Sequence, residues 1–301
     1  MVRPAGEDRE GRAAGGIAAR LSADPLRGAA VSRVHTVSGG GGLALHVREA
    51  GDPAAPPILF IHGFSQGHLC WRRQIAGALA ERFRLVVFDL RGHGMSGRPP
   101  PEAFADGDEW ADDIAGIIAG LGLDRPVIVA WSYGGLVLGD YLRRHGGAGI
   151  AGIVLVAALL SQGQTRPPPG PDSPFLSADQ AVAIPHLRSF VERMTAAPLP
   201  AAELAELVAM NVLVPPETRR GLLLRKVDLR PAYAQARCPA LVVRGSADAL
   251  VPRAEVADAL AALPQAGLKE YEGVGHMPFW ESPERFNGDL AAFAAQAREA
   301  A

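Results

Sequence analysis

Ser132 lies in residues 127–138, which read VIVAWSYGGLVL. Four apolar residues, Val127 to Ala130, run straight into Trp131-Ser132-Tyr133-Gly134-Gly135, and an apolar, helix-compatible stretch follows as far as Tyr141. A short apolar run bounded in this way suits a buried strand of a parallel sheet. The helix pattern begins with no residues left for a loop, so the chain must turn sharply, with Ser132 at the tip. This is the geometry of a nucleophile elbow, in which a strained backbone exposes a serine hydroxyl above the sheet. Strand and helix cross closely there, so the positions two before and two after the serine must be small. They are Ala130 and Gly134. The usual pattern has glycine at the first of these, and this chain departs from it by one methyl group. Helix N-capping is the other role open to a serine at this place.

A serine hydroxyl is a weak nucleophile near neutral pH. It needs a base within hydrogen-bond reach, and the base needs a carboxylate to fix its tautomer. In a parallel sheet reactive groups gather at the carboxyl ends of strands. The apolar run at 241–244 ends in GSADALVP at 245–252, which puts Asp248 just past the sheet edge. The run at 268–271 is followed by GVGHMP at 273–278, where glycines give His276 freedom to reach across. Ser132, Asp248, His276 is the chain order that the elbow motif predicts. Attack on an acyl carbon creates an oxyanion that needs two N–H donors. Tyr133, the residue after the serine, supplies one from its backbone. The loop His62-Gly63-Phe64 after the apolar run 58–61 offers the second at Phe64, and Gly63 permits close backbone approach. The Phe64 ring is at the same time a candidate pocket wall.

Other candidates read as structural. Asp89 also follows a core run, but its neighbour Arg91 marks it as a loop-stabilising residue, and His93 in the same turn as a partner of backbone. Asp112 and Asp113 read as solvated helix carboxylates. His145 and His186 fall in or beside helices with no partner in view, His35 and His46 read as surface or edge residues, and His68 as a surface residue near the site mouth.

The elements that must position these groups follow from the apolar pattern. Residues 31–49 hold two β-rich pieces split by four glycines, an antiparallel hairpin with one wet face. Buried-strand signals at 58–61, 85–88, 127–130, 153–157 and 240–243 alternate with helix patterns at about 71–82, 110–120, 134–141 and 253–263; a short strand at 268–271 and a helix from 283 close the chain. That alternation implies right-handed crossovers and a parallel sheet covered on both faces. The rhythm breaks at RPPPGPDSP, residues 166–174, which neither helix nor central strand accepts. Three helix patterns follow, at 177–194, 201–212 and 217–226, with no strand between them. The organisation expected is a core at 31–159 and 231–301, a helical cap at 160–230 and a flexible extension at 1–30.

Composition excludes several classes of function. Net charge is −2, and no Lys/Arg cluster is interleaved with aromatics, so nucleic acid and anionic membrane are not expected partners. Cys70 and Cys238 are far apart and form no CxxC pair, so buried thiols in a reducing compartment are expected rather than disulfides or zinc. No apolar stretch approaches the roughly 18–20 residues that span a bilayer. The first thirty residues lack a signal-peptide core and carry early acidic residues, so a cytoplasmic location is expected.

Taken together, HGF at 62–64, DLRGHGMS at 89–96, AWSYGG at 130–135, GSADALVP at 245–252 and GHMPFWESPE at 275–284 resemble the α/β-hydrolase superfamily. The resemblance covers roughly residues 31–296 and is weakest in the helical insertion. Within the superfamily the chain looks like single-domain carboxylesterases and cofactor-free haloperoxidase-like enzymes. It does not look like epoxide hydrolases or haloalkane dehalogenases, whose nucleophile at the position of Ser132 is an aspartate. The resemblance implies an α/β fold with a mostly parallel sheet of about eight strands and the helical insertion over its carboxyl ends. It implies Ser132 as nucleophile, His276 as base, Asp248 as orienting acid, Phe64 and Tyr133 as oxyanion donors, a small ester-like substrate, and no metal or organic cofactor. Trp131, Phe190, Met194, Met210 and Met277 join Phe64 as expected pocket residues, with Phe175 and Leu187 as further candidates in the cap. Hydrolysis of esters, including lactones or thioesters, is the expected activity. Perhydrolysis, carbon–carbon bond hydrolysis and ligand reception without turnover are the alternatives.

Overall fold

Apolar runs too short for helices become strands, and what separates them becomes the cover of a sheet. In the computed structural model, which describes residues 33–163, 170 and 172–300, β1 (Arg33–Ser38) and β2 (Ala44–Ala50) form the expected antiparallel hairpin. Then come β3 (Pro57–Ile61), β4 (Arg84–Phe88), β5 (Val127–Trp131) and β6 (Gly152–Val156). Two residue pairs, β7 (Ser161–Gln162) and β8 (Val227–Asp228), make a separate ladder. The chain returns to the main sheet with β9 (Ala240–Gly245) and β10 (Gly267–Tyr271). The eight strands lie in the order β1-β2-β4-β3-β5-β6-β9-β10. All pairings from β4 to β10 are parallel. The expected extension at 1–30 and most of the proline-rich stretch fall outside the described residues.

Side chains alternate across a strand, and here both faces are dry. Leu59, Ile61, Val86, Phe88, Ile128 and Ala130 join one core, while Ile58, Phe60, Leu85, Val87, Val127, Val129 and Trp131 join the other. This double burial explains why the central runs read as continuously apolar. β10 sits at the edge and can carry Lys269 and Glu270. The helix Gly107–Gly120 starts at Asp106, whose side chain accepts from Asp108 N–H, and Pro283 opens the last long helix, Pro283–Glu299.

Several expectations need correction. The helix expected at 71–82 is three short turns, His68–Trp71, Arg72–Ile75 and Ala78–Glu81, and extended Gly77 (φ −107°, ψ −172°) separates the third from the second. Asp113 is not solvated but fully buried: Arg91 grips it from Nε at 2.7 Å and from Nη2 at 2.8 Å, and Gly40 N–H adds a bond of 2.9 Å. His145 has a partner, with Nε2 3.1 Å from Asp112 Oδ1, and His186 Nδ1 lies 3.0 Å from the Val182 carbonyl. Cys70 is buried as expected, whereas Cys238 is only partly so.

Between β6 and β9 lie the helices Gln180–Glu192, Ala201–Val212 and Pro216–Leu224. They match the three helical patterns; Asp179 caps the first, and prolines at 200, 215 and 216 mark the starts of the second and third. The β7–β8 ladder at the base of this insertion escaped the sequence, since a two-residue strand has no periodicity to read. Among the described residues no helix is long and apolar enough to cross a membrane.

Candidate active site

The turn after β5 has the expected form. Ser132 has φ +54°, a left-handed backbone in a residue that carries a Cβ, which costs roughly 1–3 kcal/mol unless the surroundings impose it. They do. Ser132 N–H donates to Val156 carbonyl at 3.0 Å, and its carbonyl accepts from Gly135 and Leu159 N–H, both at 3.0 Å. The helix Gly134–His145 begins two residues later. A Cβ on Gly134 would stand 2.8 Å from the Ile61 carbonyl oxygen, so the smallest side chain is required there. Ala130 is fully buried in the first core, where its methyl group is accommodated in place of the usual glycine.

Asp248 and His276 come together from the loops after β9 and β10. His276 Nδ1 stands 2.8 Å from Asp248 Oδ2. The other carboxylate oxygen accepts from Leu250 N–H at 2.8 Å and Val251 N–H at 3.0 Å. Burial alone would raise the Asp248 pKa, but the His276 ring and these two N–H groups outweigh it and hold it below the ordinary value. An ionised carboxylate at Nδ1 fixes the proton there and leaves Nε2 as the acceptor. The His276 loop is tied to the Ser132 turn through Trp131, whose Nε1–H donates to the His276 carbonyl at 3.0 Å.

The loop after β3 is organised by His62, a residue the sequence reading passed over. Its Nδ1–H donates to the Gly63 carbonyl at 2.8 Å, and Nε2 accepts from Leu90 N–H at 3.0 Å. Burial, helped by the neighbouring His93, pushes the His62 pKa down to about 3, so the ring is neutral as this pattern requires. In a trans peptide the C=O and the following N–H point in opposite directions. By holding the Gly63 carbonyl, His62 therefore directs the Phe64 N–H away from itself. A Cβ on Gly63 would lie 3.1 Å from Ser132 Cβ, so this loop passes directly against the serine. Neither Phe64 N–H nor Tyr133 N–H enters the backbone turn and cap hydrogen bonds of the described residues.

The expected pocket residues divide. Phe64, Phe175 and Phe190 are half-buried and meet as a trio: Phe64 stacks on Phe175 at 5.6 Å and 19°, while Phe190 stands edge-on to both. Phe64 also reaches Tyr133, ring to ring at 6.4 Å. Met194 and Met210 are buried where the insertion meets the sheet loops. Met194 Sδ takes a long contact of 3.6 Å from Gln66 Nε2, and Met210 Sδ would stand 3.7 Å from a Cβ on Gly67. Leu187 is fully buried. Trp131 and Met277, like Met194 and Met210, are part of the second core, and Trp131 packs edge-on against Phe279 at 5.0 Å. An apolar groove of about 530 Å³ between the helices Gln180–Glu192 and Ala201–Val212, lined by Ile184, Leu204, Val208 and Leu213 among others, includes none of Ser132, Asp248 and His276.

His68 is buried, not on the surface, and pairs with Asp89: its Nδ1 and backbone N–H lie 2.9 and 2.8 Å from Asp89 Oδ1. Met95 N–H donates to Asp89 Oδ2 at 3.0 Å. Asp89 thus stabilises its loop as expected, though not through Arg91, which pairs with Asp113. His93 Nδ1 bonds the Arg91 carbonyl at 2.9 Å, as expected of it. His46, His68 and Asp89 are a group among the described residues whose ligand atoms lie within 4.8 Å of one another. Both Asp89 oxygens already take hydrogen bonds there, so the cluster is satisfied without a cation.

Residues 58–289 match the model of the alpha/beta hydrolase family. The chain belongs to this family. This α/β hydrolase is 34% identical to a solved Burkholderia cenocepacia protein provisionally described as an aryl esterase, with a TM-score of 0.84 over 89% of this chain and 100% of that one. It is 30% identical to a solved Rhodococcus esterase, with a TM-score of 0.81 over 87% and 98% of the two chains. Among characterised relatives, the bifunctional esterase/perhydrolase of Acinetobacter calcoaceticus is 28% identical over 274 residues, 84% of this α/β hydrolase and 96% of that protein.

Proposed function

We propose that the chain is a serine hydrolase that cleaves small-molecule carboxylic esters, lactones and thioesters included, through an acyl-enzyme. Ser132 Oγ attacks the acyl carbon while His276 Nε2 takes its proton. Asp248 keeps the second imidazole proton on Nδ1 and stabilises the imidazolium as it forms. The Phe64 and Tyr133 N–H groups receive the oxyanion. The tetrahedral intermediate collapses, the alcohol leaves with the proton from His276, and water activated by the same base releases the acid. The helical insertion acts as a cap that shapes the acyl pocket by setting Phe175 and Phe190 against Phe64 of the β3 loop. The observation that carries the reading is the 2.8 Å Asp248–His276 pair tied through Trp131 to a serine with left-handed backbone. Esterases among the relatives support it.

The test is Ser132→Ala. Folded variant should lose ester turnover by about 10⁴-fold or more, and a fluorophosphonate should label wild type at Ser132 alone. Substantial turnover in the variant, or labelling elsewhere, would overturn the assignment. Transfer of the acyl group to hydrogen peroxide is a second reading, favoured by the bifunctional Acinetobacter relative. Peracid formation from acetate and peroxide, absent in Ser132→Ala, would establish it.

A further inference from the structure

Histidine bases on loops need something to hold them, and the backbone bonds around His276 come from three different parts of the chain. Its carbonyl is held by Trp131, beside the serine. Its N–H donates to the Met194 carbonyl, in the helical insertion, at 2.8 Å. The preceding residue, Gly275, donates its N–H to Glu281 Oε1 at 2.8 Å, while Glu281 Oε2 accepts at 2.8 Å from the N–H of Ala196, again in the insertion. One carboxylate therefore joins the base loop to the segment that follows the helix Gln180–Glu192. The two chains touch: a Cβ on Gly275 would fall 2.7 Å from Ala196 N. Burial raises the Glu281 pKa, and the amides of Ala196, Gly275 and Ala197 offset part of that rise. Charge-assisted bonds to backbone amides are stronger than neutral ones and have little freedom to rearrange.

We propose that Glu281 is a positioning residue for His276, holding the base loop and residues 194–196 of the insertion as one unit, so that alignment of the base depends on the seating of the insertion. The proposal rests on Ser132 and His276 acting as nucleophile and base. Glu281 touches neither substrate nor reacting atoms; it acts through Gly275 and Ala196. Gly275 N–H bonds one of its oxygens and Ala196 N–H the other, and a carboxamide can accept on only one side, because its NH2 group would face the other donor.

The experiment compares Glu281→Gln, Glu281→Asp and Ala196→Pro with wild type on p-nitrophenyl acetate, with fluorophosphonate labelling of Ser132 to count competent sites. Displacing a catalytic group by about 1 Å costs roughly 10²-fold, so Glu281→Gln should lower kcat by about ten- to a hundredfold with KM changed less than about twofold. Its sites should label to completion, but more slowly by the same factor. Glu281→Asp keeps the charge and should fall between Gln and wild type. Ala196→Pro replaces one insertion donor by a ring carbon beside Gly275 and should also lower kcat, again with KM nearly unchanged. Wild-type kcat in Glu281→Gln would overturn the proposal, as would a fall in rate matched by a fall in the number of labelled sites, which is loss of folded protein. Wild-type kcat in Ala196→Pro would overturn the link to the insertion. These outcomes differ from failure of the parent reading, in which wild type itself neither turns over esters nor labels at Ser132.

Discussion

Two aspartate–histidine pairs stand at carboxyl ends of the same sheet. Asp89 meets His68 at 2.9 Å beyond β4, and Asp248 meets His276 at 2.8 Å beyond β9. All four side chains are almost completely buried. In both pairs the carboxylate is held below its ordinary pKa, burial working against this and the imidazole and backbone amides prevailing. Only their surroundings separate them. Asp89 takes the N–H and ring of His68, from the segment after β3, on one oxygen and Met95 N–H on the other, so its bonds fasten the β3 and β4 loops to each other and reach no part of the Ser132 turn. Asp248 bonds its own loop through one oxygen and gives the other to a histidine from a different strand. That histidine is bound to the residue before Ser132. An acid–imidazole pair is thus a common structural clasp, and it becomes a proton relay only when the far ring nitrogen has a nucleophile to serve.

The comparison breaks most visibly at the acids. Asp248→Asn should lower kcat/KM by about 10³- to 10⁴-fold through the wrong His276 tautomer, with melting temperature nearly preserved. Asp89→Asn should lose activity only as it loses fold. If well-folded Asp89→Asn were dead and Asp248→Asn active, the roles would have to be exchanged.

The helical insertion supplies no acid and no base to either pair. Its side chains are accordingly expected to govern which ester reacts. Changing a pocket by a methylene or more is worth roughly 1–3 kcal/mol of discrimination. Phe190→Ala and Met210→Ala should each shift relative kcat/KM among acetate, hexanoate and decanoate esters by about ten- to a hundredfold. Equal loss on all three esters in folded variants would mean that these side chains serve the chemistry itself.

The smallest effect concerns stability. A hydrogen bond to a charged group is worth about 1.5–3 kcal/mol, so Asp89→Asn should lower unfolding free energy near pH 7 by about 2 kcal/mol. Because the folded Asp89 pKa is depressed, its contribution is complete above the unfolded value, near pH 4, and is lost as pH falls toward the folded value. The gap between wild type and Asp89→Asn should therefore close under acid denaturation. A gap that stayed constant between about pH 6 and pH 2 would show that the charge of Asp89 does not contribute.

Much of this was legible because it is local. Residues 127–138 contain strand, turn and helix start together, and the small residue at 134 reflects a close approach to the end of β3. Asp248 and His276 were readable from their places after strands. Long-range pairings were not. The motif GHMPFWESPE contains Glu281, but its partner Ala196 lies in another segment with no pattern of its own. His62 was seen as part of a loop, yet its task is to turn one peptide. His68 and Asp113 were misread as exposed because a polar residue in a polar stretch gives no sign of a buried partner; Arg91, which satisfies Asp113, is itself fully buried. Trp131 sits in the elbow motif, where its apolar bulk concealed the indole N–H that reaches the His276 carbonyl.

The β7–β8 ladder has a consequence for how such a protein can diversify. Ser161 pairs with Asp228 and Gln162 with Val227, so the helical insertion leaves the main sheet and rejoins it at a single seam. A segment whose two ends already meet imposes little loop-closure cost on what it joins, and that cost grows only slowly with the length between the ends. Helices could be lengthened, shortened or exchanged beyond this seam while β6 and β9 keep their register. The same seam is a natural crossover point for recombining insertions from related chains, with new contacts to the His276 loop as the condition that any graft would have to meet.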